Sequence, residues 1–322
     1  MRSGPGRPDG LRTYRVFGVN LASALPFRSL LGIADGAEEL SFAVSPVPIV
    51  TGSWKGGDPI FRSPRRFQNG ESFSQLYQLN LWEALCFPGV ADFYLQGDRI
   101  AAHPIGNPTS DLLEIRLLGP VLSYWLERQG FPTLHASAVA VDGRAVAFLS
   151  SHGSGKTGLA AAMMRAGLSL LTDDILPVEE RDGKFLGRPG YSQMRMWPDE
   201  AEHFLGKSDD LPLVHPAITK RVVTVGGGSF GAFHDMAVPL ACIYLPERVL
   251  GGPIEIHEIS RREALIELVR HSFSRHLVQA VGFQPRRLDL FARLVMQVPV
   301  RRLRYPSGFE RLPEVVERLL KD

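Results

Sequence analysis

Cysteine is almost absent from this 322-residue chain: Cys86 and Cys242 are the only two, far apart and in no metal-ligand spacing. That excludes a disulfide framework and a cysteine zinc site, and predicts reduced thiols. Lysine is scarce as well, since the basic residues are mostly arginine and only Lys55, Lys156, Lys184, Lys207, Lys220 and Lys321 are lysines. No uninterrupted apolar run approaches the roughly 18 residues of a membrane span, and Met1–Gly10 lacks the apolar core of a secretory signal. The chain therefore reads as cytoplasmic, with no membrane partner. A net charge of +2 is too balanced to imply a nucleic-acid partner. No repeat or low-complexity tract is visible. With 44% hydrophobic residues the chain can bury a sizeable core, as one large or two ordinary domains.

Most of the functional information lies in residues 134–179. Gly153-Ser154-Gly155-Lys156-Thr157 follows an apolar run, Ala145 to Leu149, and precedes a helix-forming run, Leu159 to Arg165. A strand, a tight glycine loop and a helix in that order form a phosphate cradle. Backbone N–H groups of Ser151, His152, Gly153, Ser154, Gly155, Lys156 and Thr157 wrap the phosphates, Lys156 bridges β- and γ-phosphates, and the Thr157 hydroxyl can ligate Mg²⁺. Lysine is rare in this chain, so a lysine inside the loop carries extra weight.

Asp142-Gly143 between Ala138–Val141 and Ala145–Leu149 is a hairpin signal. Gly167 stops the helix, and Leu168–Leu171 makes a buried strand ending at Thr172-Asp173-Asp174. Carboxylates at the end of a strand neighbouring the loop strand would face a bound nucleotide, hold Mg²⁺ and take a proton from an attacking hydroxyl. Taken alone, Asp173-Asp174 could equally form a turn, and His135 could be a hydrogen-bonded structural histidine.

Elsewhere, residues 1–10 read as a disordered start and 11–110 as a β-rich region. It opens with a strand at Tyr14–Asn20, runs through loops and short strands over Pro46–Glu71, and contains a Gly97-Asp98 hairpin over Phe93–His103. Asp111 caps an amphipathic bridging helix through Gln129, over 111–130, which Pro120 kinks or splits. Residues 131–322 form the phosphate-binding domain. Within it, Val225–Gly231 reads as a glycine-rich mobile loop, either closing over substrate or merely connecting. Ser260–Gln279 reads as one helix with a capping box at Ser260 and Glu263. The arginines of 286–304 read as the solvated side of a helix and a strand rather than as a patch for an acidic partner, and Leu312–Leu320 as a closing helix.

His135, Gly153, Gly155, Lys156, Thr157, Gly167, Asp173 and Asp174 resemble, at matching spacing, the core of bacterial HPr serine kinases. The likeness is closer to the HPr-kinase-related proteins found with lasso-peptide biosynthesis. It extends to YRVFGVNLAS, LHASAV, MRMWPDEAE, Lys220-Arg221 and LRYPSGFERLPEVVERLL. The resemblance implies an α/β (α+β) fold, a P-loop kinase core of the phosphoenolpyruvate-carboxykinase-like type behind an N-terminal β-rich region that is a candidate peptide-docking unit. It implies ATP and Mg²⁺ as cofactors and transfer to a serine of a precursor peptide. Asp174 becomes the general base, Asp173 with Thr157 the metal ligands, and His135 a helper at the phosphates. Ser150 stands where the usual loop begins with glycine. No carboxylate matches the family's later acidic residue near Gln193-Met194-Arg195, and no clear match exists for its active-site arginine. Lys220 or Arg221 are candidate replacements, against a solvated charge pair. A small-metabolite kinase and an inactive nucleotide-binding regulator are the alternatives, and a homo-oligomer is left open.

Overall fold

The structure, a computed structural model, describes residues 10–29, 32–33, 36–150, 153, 155–215 and 218–322. It is a mixed α/β protein with several sheets, and its chain divides into two compact units, Met1–Trp125 and Leu126–Asp322. Apart from Gly10, the segment expected to start disordered lies outside the described residues. No helix is long and apolar enough to cross a membrane among them. Both cysteines are free and buried.

The first unit is built on a nine-stranded sheet, mostly antiparallel. The single strand expected over Tyr14–Asn20 is a hairpin instead. Phe17 and Gly18 both take positive φ and turn Arg12–Val16 back along Val19–Ser23. Strands Ala91–Gln96 and Arg99–Pro104 pair across Gly97-Asp98. The helix that follows is capped by Thr109, whose hydroxyl accepts from the Leu112 N–H at 3.3 Å, so Asp111 lies in the first turn and is not the cap. Gly119 leaves helical geometry beside Pro120, which divides the run into Ser110–Arg116 and Leu122–Gln129 around a wide turn.

The second unit is organised by a large mixed sheet. Strand Arg144–Leu149 lies between Ala136–Val141, its antiparallel hairpin partner, and Val238–Val249, which runs parallel to it. Asp142 and Gly143 turn the hairpin, both with positive φ. Ser169–Thr172 adds antiparallel to Ala136–Val141, and Val300–Pro306 adds parallel to Val238–Val249. Alternate side chains of the loop strand point to opposite faces, as the strand period requires. Phe148 joins a core with helices Lys156–Arg165 and Leu312–Leu320, whereas Ala145, Ala147 and Leu149 join one with helices Arg261–Arg270 and Gln284–Gln297. A three-stranded sheet of Gln193–Met196, Ile218–Thr224 and Leu213–His215 completes the unit.

Three expectations change here. The helix over Ser260–Gln279 ends at Arg270 and resumes at Arg275, although Ser260 caps it by accepting from the Glu263 N–H. Between the two pieces the backbone pairs with the sheet edge instead: Phe273 donates to the Thr133 carbonyl and the His135 N–H donates to the His271 carbonyl, each at 2.8 Å. Arg287 is not solvated; it is 1% exposed and ion-paired with Glu127. The glycine-rich segment is anchored by buried Val225 and Phe230, and a side chain at Gly231 would meet Met164 at 2.6 Å.

Candidate active site

Strand direction decides what meets at one edge of this sheet. Ser169–Thr172 and Arg144–Leu149 are both antiparallel to the strand between them, so they are parallel to each other, and Val238–Val249 and Val300–Pro306 share that direction. The carboxyl ends of four strands therefore open onto one side, where ligands of α/β sheets bind. They deliver the loop after Leu149, Asp173-Asp174, Arg248 and Tyr305. The intervening strand runs the other way, so its beginning, His135, reaches the same side. The strand carrying the aspartates is thus not the direct neighbour of the loop strand; one strand separates them.

The loop enters at Ser150, which is buried without positive φ and whose carbonyl accepts from Lys156 Nζ at 2.8 Å. Gly153 and Gly155 take φ of +82° and +90°, and Gly155 caps helix Lys156–Arg165. A Cβ at Gly155 would lie 2.5 Å from both the Arg248 guanidinium and the Tyr305 hydroxyl, so no other residue fits there without displacing them. Ser151, His152 and Ser154 lie outside the described residues.

Asp173 is the hub of the hydroxyl network. Its Oδ1 accepts from Ser137 Oγ at 2.6 Å and from Thr157 Oγ1 at 3.1 Å, and its Oδ2 accepts the Arg195 N–H at 2.9 Å. Asp174 has a φ of +80°, a left-handed conformation that aspartate tolerates better than most residues. This turn swings its carboxylate between His135, at 3.2 Å from Nδ1, and Arg195, at 3.3 Å from Nη1. Thr157, Asp173, Asp174, His135 and Lys156 line one cleft of about 310 Å³, together with Arg195, Glu200, Lys220 and Arg248.

Charge is balanced closely in this cleft. Burial lowers Lys156 to about 8 against the pull of Asp174 and Asp173. Burial also opposes ionisation of Asp174, but the His135 hydrogen bond and the Arg195 charge outweigh it and hold the carboxyl below its ordinary range. Arg195 is held charged by the Tyr191 hydroxyl and by both aspartates, against its own burial. Glu200 accepts the Trp197 N–H at 2.9 Å, and burial pushes its carboxyl up.

Of the two basic residues offered as replacements for a missing arginine, the structure brings only Lys220 to the cleft, with its ammonium 5.0 Å from the Trp197 ring centre. Arg221 points the other way, to Asp209 and the Leu211 carbonyl, because neighbours on a strand face opposite sides. Sequence reasoning passed over Arg195, Glu200, Arg248 and Tyr305. A signal for Arg248 existed, since it stands three residues beyond the apolar run Leu240–Leu245 on what reads as a strand. Arg195 alternates with buried Met194 and Met196, the mark of a side chain on the opposite face.

No protein-family model matches the chain, and no curated protein matches it in sequence. Among solved structures, the HPr(Ser) kinase/phosphatase from Coxiella burnetii aligns over 59% of this chain and 93% of its own, at 14% identity and a TM-score of 0.28. A likeness that loose transfers no residue role from one chain to the other.

Proposed function

We propose that this edge of the sheet is a phosphotransfer site at which ATP, with Mg²⁺, gives its γ-phosphoryl group to the serine hydroxyl of a ribosomally made precursor peptide. The observation that carries the reading is the meeting of a loop lysine, a helix N-terminus, two hydroxyls sharing one aspartate, and a second aspartate turned toward His135, in a single cleft. The peptide as acceptor rests on the resemblance noted in the sequence, with the first unit as its docking region.

The residues fit the groups this chemistry needs. The helix N-terminus and Lys156 offer positive charge to phosphates, and Lys220 and Arg248 add to it from the cleft wall. Thr157 and Asp173 supply oxygen-only donors, 3.1 Å apart, which suit Mg²⁺, a hard cation that leaves much of its shell to phosphates and water. They would hold the ion, which when bound neutralises charge on the phosphates. The serine oxygen attacks the γ-phosphorus and its proton passes to the Asp174 carboxylate. The bond from that phosphorus to the β,γ-bridging oxygen breaks, and ADP leaves with the electron pair. Arg195 and His135 keep Asp174 ionised, so it takes the proton late, as the hydroxyl becomes acidic on bonding to phosphorus.

Incubation with Mg-ATP and a precursor peptide, read by mass spectrometry, tests this. Phosphoryl mass gain on a serine is expected, lost in Lys156→Ala and Asp174→Asn and kept in Ser150→Gly. Normal phosphorylation by Asp174→Asn would remove the base assignment, and gain only on small alcohols would move the acceptor to metabolites.

A further inference from the structure

A second chamber, of about 660 Å³, lies on the far side of His135 from the cleft and belongs to nothing described so far. It exists because the helix after Ser260 breaks at His271–Ser274 to pair with residues 133–135. His135 and Ser150 form the wall it shares with the phosphate loop; Phe273, Arg270, Arg275 and Arg302 are among the other lining residues, with two carboxylates, Glu247 and Glu267, that are ion-paired to Arg302 and Arg270. Ser150 marks one end of the loop: its carbonyl holds the Lys156 ammonium, the group that reaches the β- and γ-phosphates. The chamber therefore opens at the transferring end of the cleft, beside the base.

Its cations are not equivalent. Arg270 is paired with Glu267 at 2.6 Å and Arg302 with Glu263 at 2.7 Å. Arg275 reaches only the Arg270 carbonyl at 3.4 Å and the His276 ring at 3.2 Å, with no carboxylate partner among the described residues. An exposed guanidinium beside an aromatic ring, at the mouth of a chamber adjoining the reacting end, suits a carboxylate, which it can hold with two parallel N–H bonds.

We infer that this chamber is the acceptor site, and that Arg275 selects acceptors carrying a carboxylate next to the hydroxyl that is phosphorylated. The inference rests on the phosphotransfer reading and names its substrate class. The chain of the acceptor lies in the chamber, its carboxylate on Arg275, and its hydroxyl passes His135 to meet Asp174 and the γ-phosphorus. Bond making and breaking are those given above; Arg275 touches no transferring atom.

Two short serine peptides, identical except for Asp or Asn beside the serine, provide the probes. Their binding without nucleotide is followed by fluorescence anisotropy, and their phosphorylation with Mg-ATP by mass spectrometry. The wild type should favour the Asp peptide in both assays by about tenfold, the effect of one charge-assisted contact. Arg275→Glu should erase that preference and Arg275→Lys restore part of it, with the KM for ATP unchanged in both. Arg275 is exposed at the start of a short helix, so neither change threatens folding. Acidic preference that survives Arg275→Glu overturns the chamber and leaves the phosphotransfer reading standing. Binding that behaves as expected without any phosphate transferred upholds the chamber and overturns that reading. Neither binding nor transfer overturns both.

Discussion

Two acid–arginine pairs in the second unit, Glu127–Arg287 and Asp174–Arg195, are chemically alike and do opposite things. Glu127 and Arg287 are both almost wholly buried, and Glu127 also accepts the Thr133 N–H at 2.7 Å and the Thr133 hydroxyl at 3.2 Å. Arg287 Nη2 donates in addition to the Phe273 carbonyl at 3.2 Å. The pair thus ties Leu122–Gln129, Gln284–Gln297, the strand start at Thr133 and the His271–Ser274 break together, and through them fixes the backbone that presents His135. Burial pushes the Glu127 carboxyl up against the pull of Arg287. Asp174 keeps about a third of its side chain open, faces a cleft, and is held below its ordinary range. Near-total burial with an ion pair and backbone partners marks the structural pair, although Arg287 Nη1 is left without a hydrogen-bond partner among the described residues, whereas partial exposure on a strained turn marks the carboxylate proposed to take a proton.

Breaking each pair should separate the two roles most sharply. Glu127→Ala strands a buried guanidinium and is expected to cost about 3–5 kcal/mol of folding stability. Asp174→Asn keeps the shape of its partly open side chain and should cost less than about 1 kcal/mol, while lowering phosphotransfer by about 10²–10⁴-fold. Denaturant midpoints and turnover on the same samples decide this. Equal stability losses would erase the distinction.

The same contrast explains what the sequence made legible. His135, Lys156, Thr157, Asp173 and Asp174 lie within a single hairpin, loop, helix and strand, so spacing alone brings them to the same edge, whereas Ser137 carried no signal of its own. The ion pair links residues 127 and 287, and Arg195, Arg248 and Tyr305 come from strands whose neighbours are fixed only when the sheet assembles. Periodicity marks such residues as facing away from the core but cannot say toward what. The helix break at 271–274 was illegible for a related reason. Its sequence keeps helical spacing, and what ends the helix is backbone pairing with Thr133–His135, a partner far away in the chain.

A third arginine sharpens the comparison, because Arg248 is neither buried with an acid nor paired with Asp174. Tyr305 Oη accepts from its Nε at 3.2 Å and holds it against Gly155, at the N-terminus of the loop helix. Arg248→Ala should weaken Mg-ATP binding by about 10–100-fold through loss of a charge-assisted phosphate contact, with little change in stability. Tyr305→Phe should cost only severalfold, since it loosens the arginine without removing it. Calorimetric titration of the nucleotide reads both, and unchanged affinity in Arg248→Ala would leave that arginine a mere packing group.

The smallest expected effect comes from Lys156, whose burial lowers it to about 8. In the free protein it loses its charge as pH rises through that value, so the affinity for Mg-ATP should fall severalfold between pH 7 and pH 9. Stability should move the other way. Between about 8 and the ordinary lysine value of 10.5 the unfolded chain binds a proton that the folded one does not, so this group's contribution to stability rises with pH across that window. Lys156→Met should remove both slopes, which isolates them from every other titrating group. A binding slope that persists in Lys156→Met would assign the pH response to another residue of the cleft. Flat binding in the wild type would mean that the ammonium keeps its proton at the loop entry despite its burial.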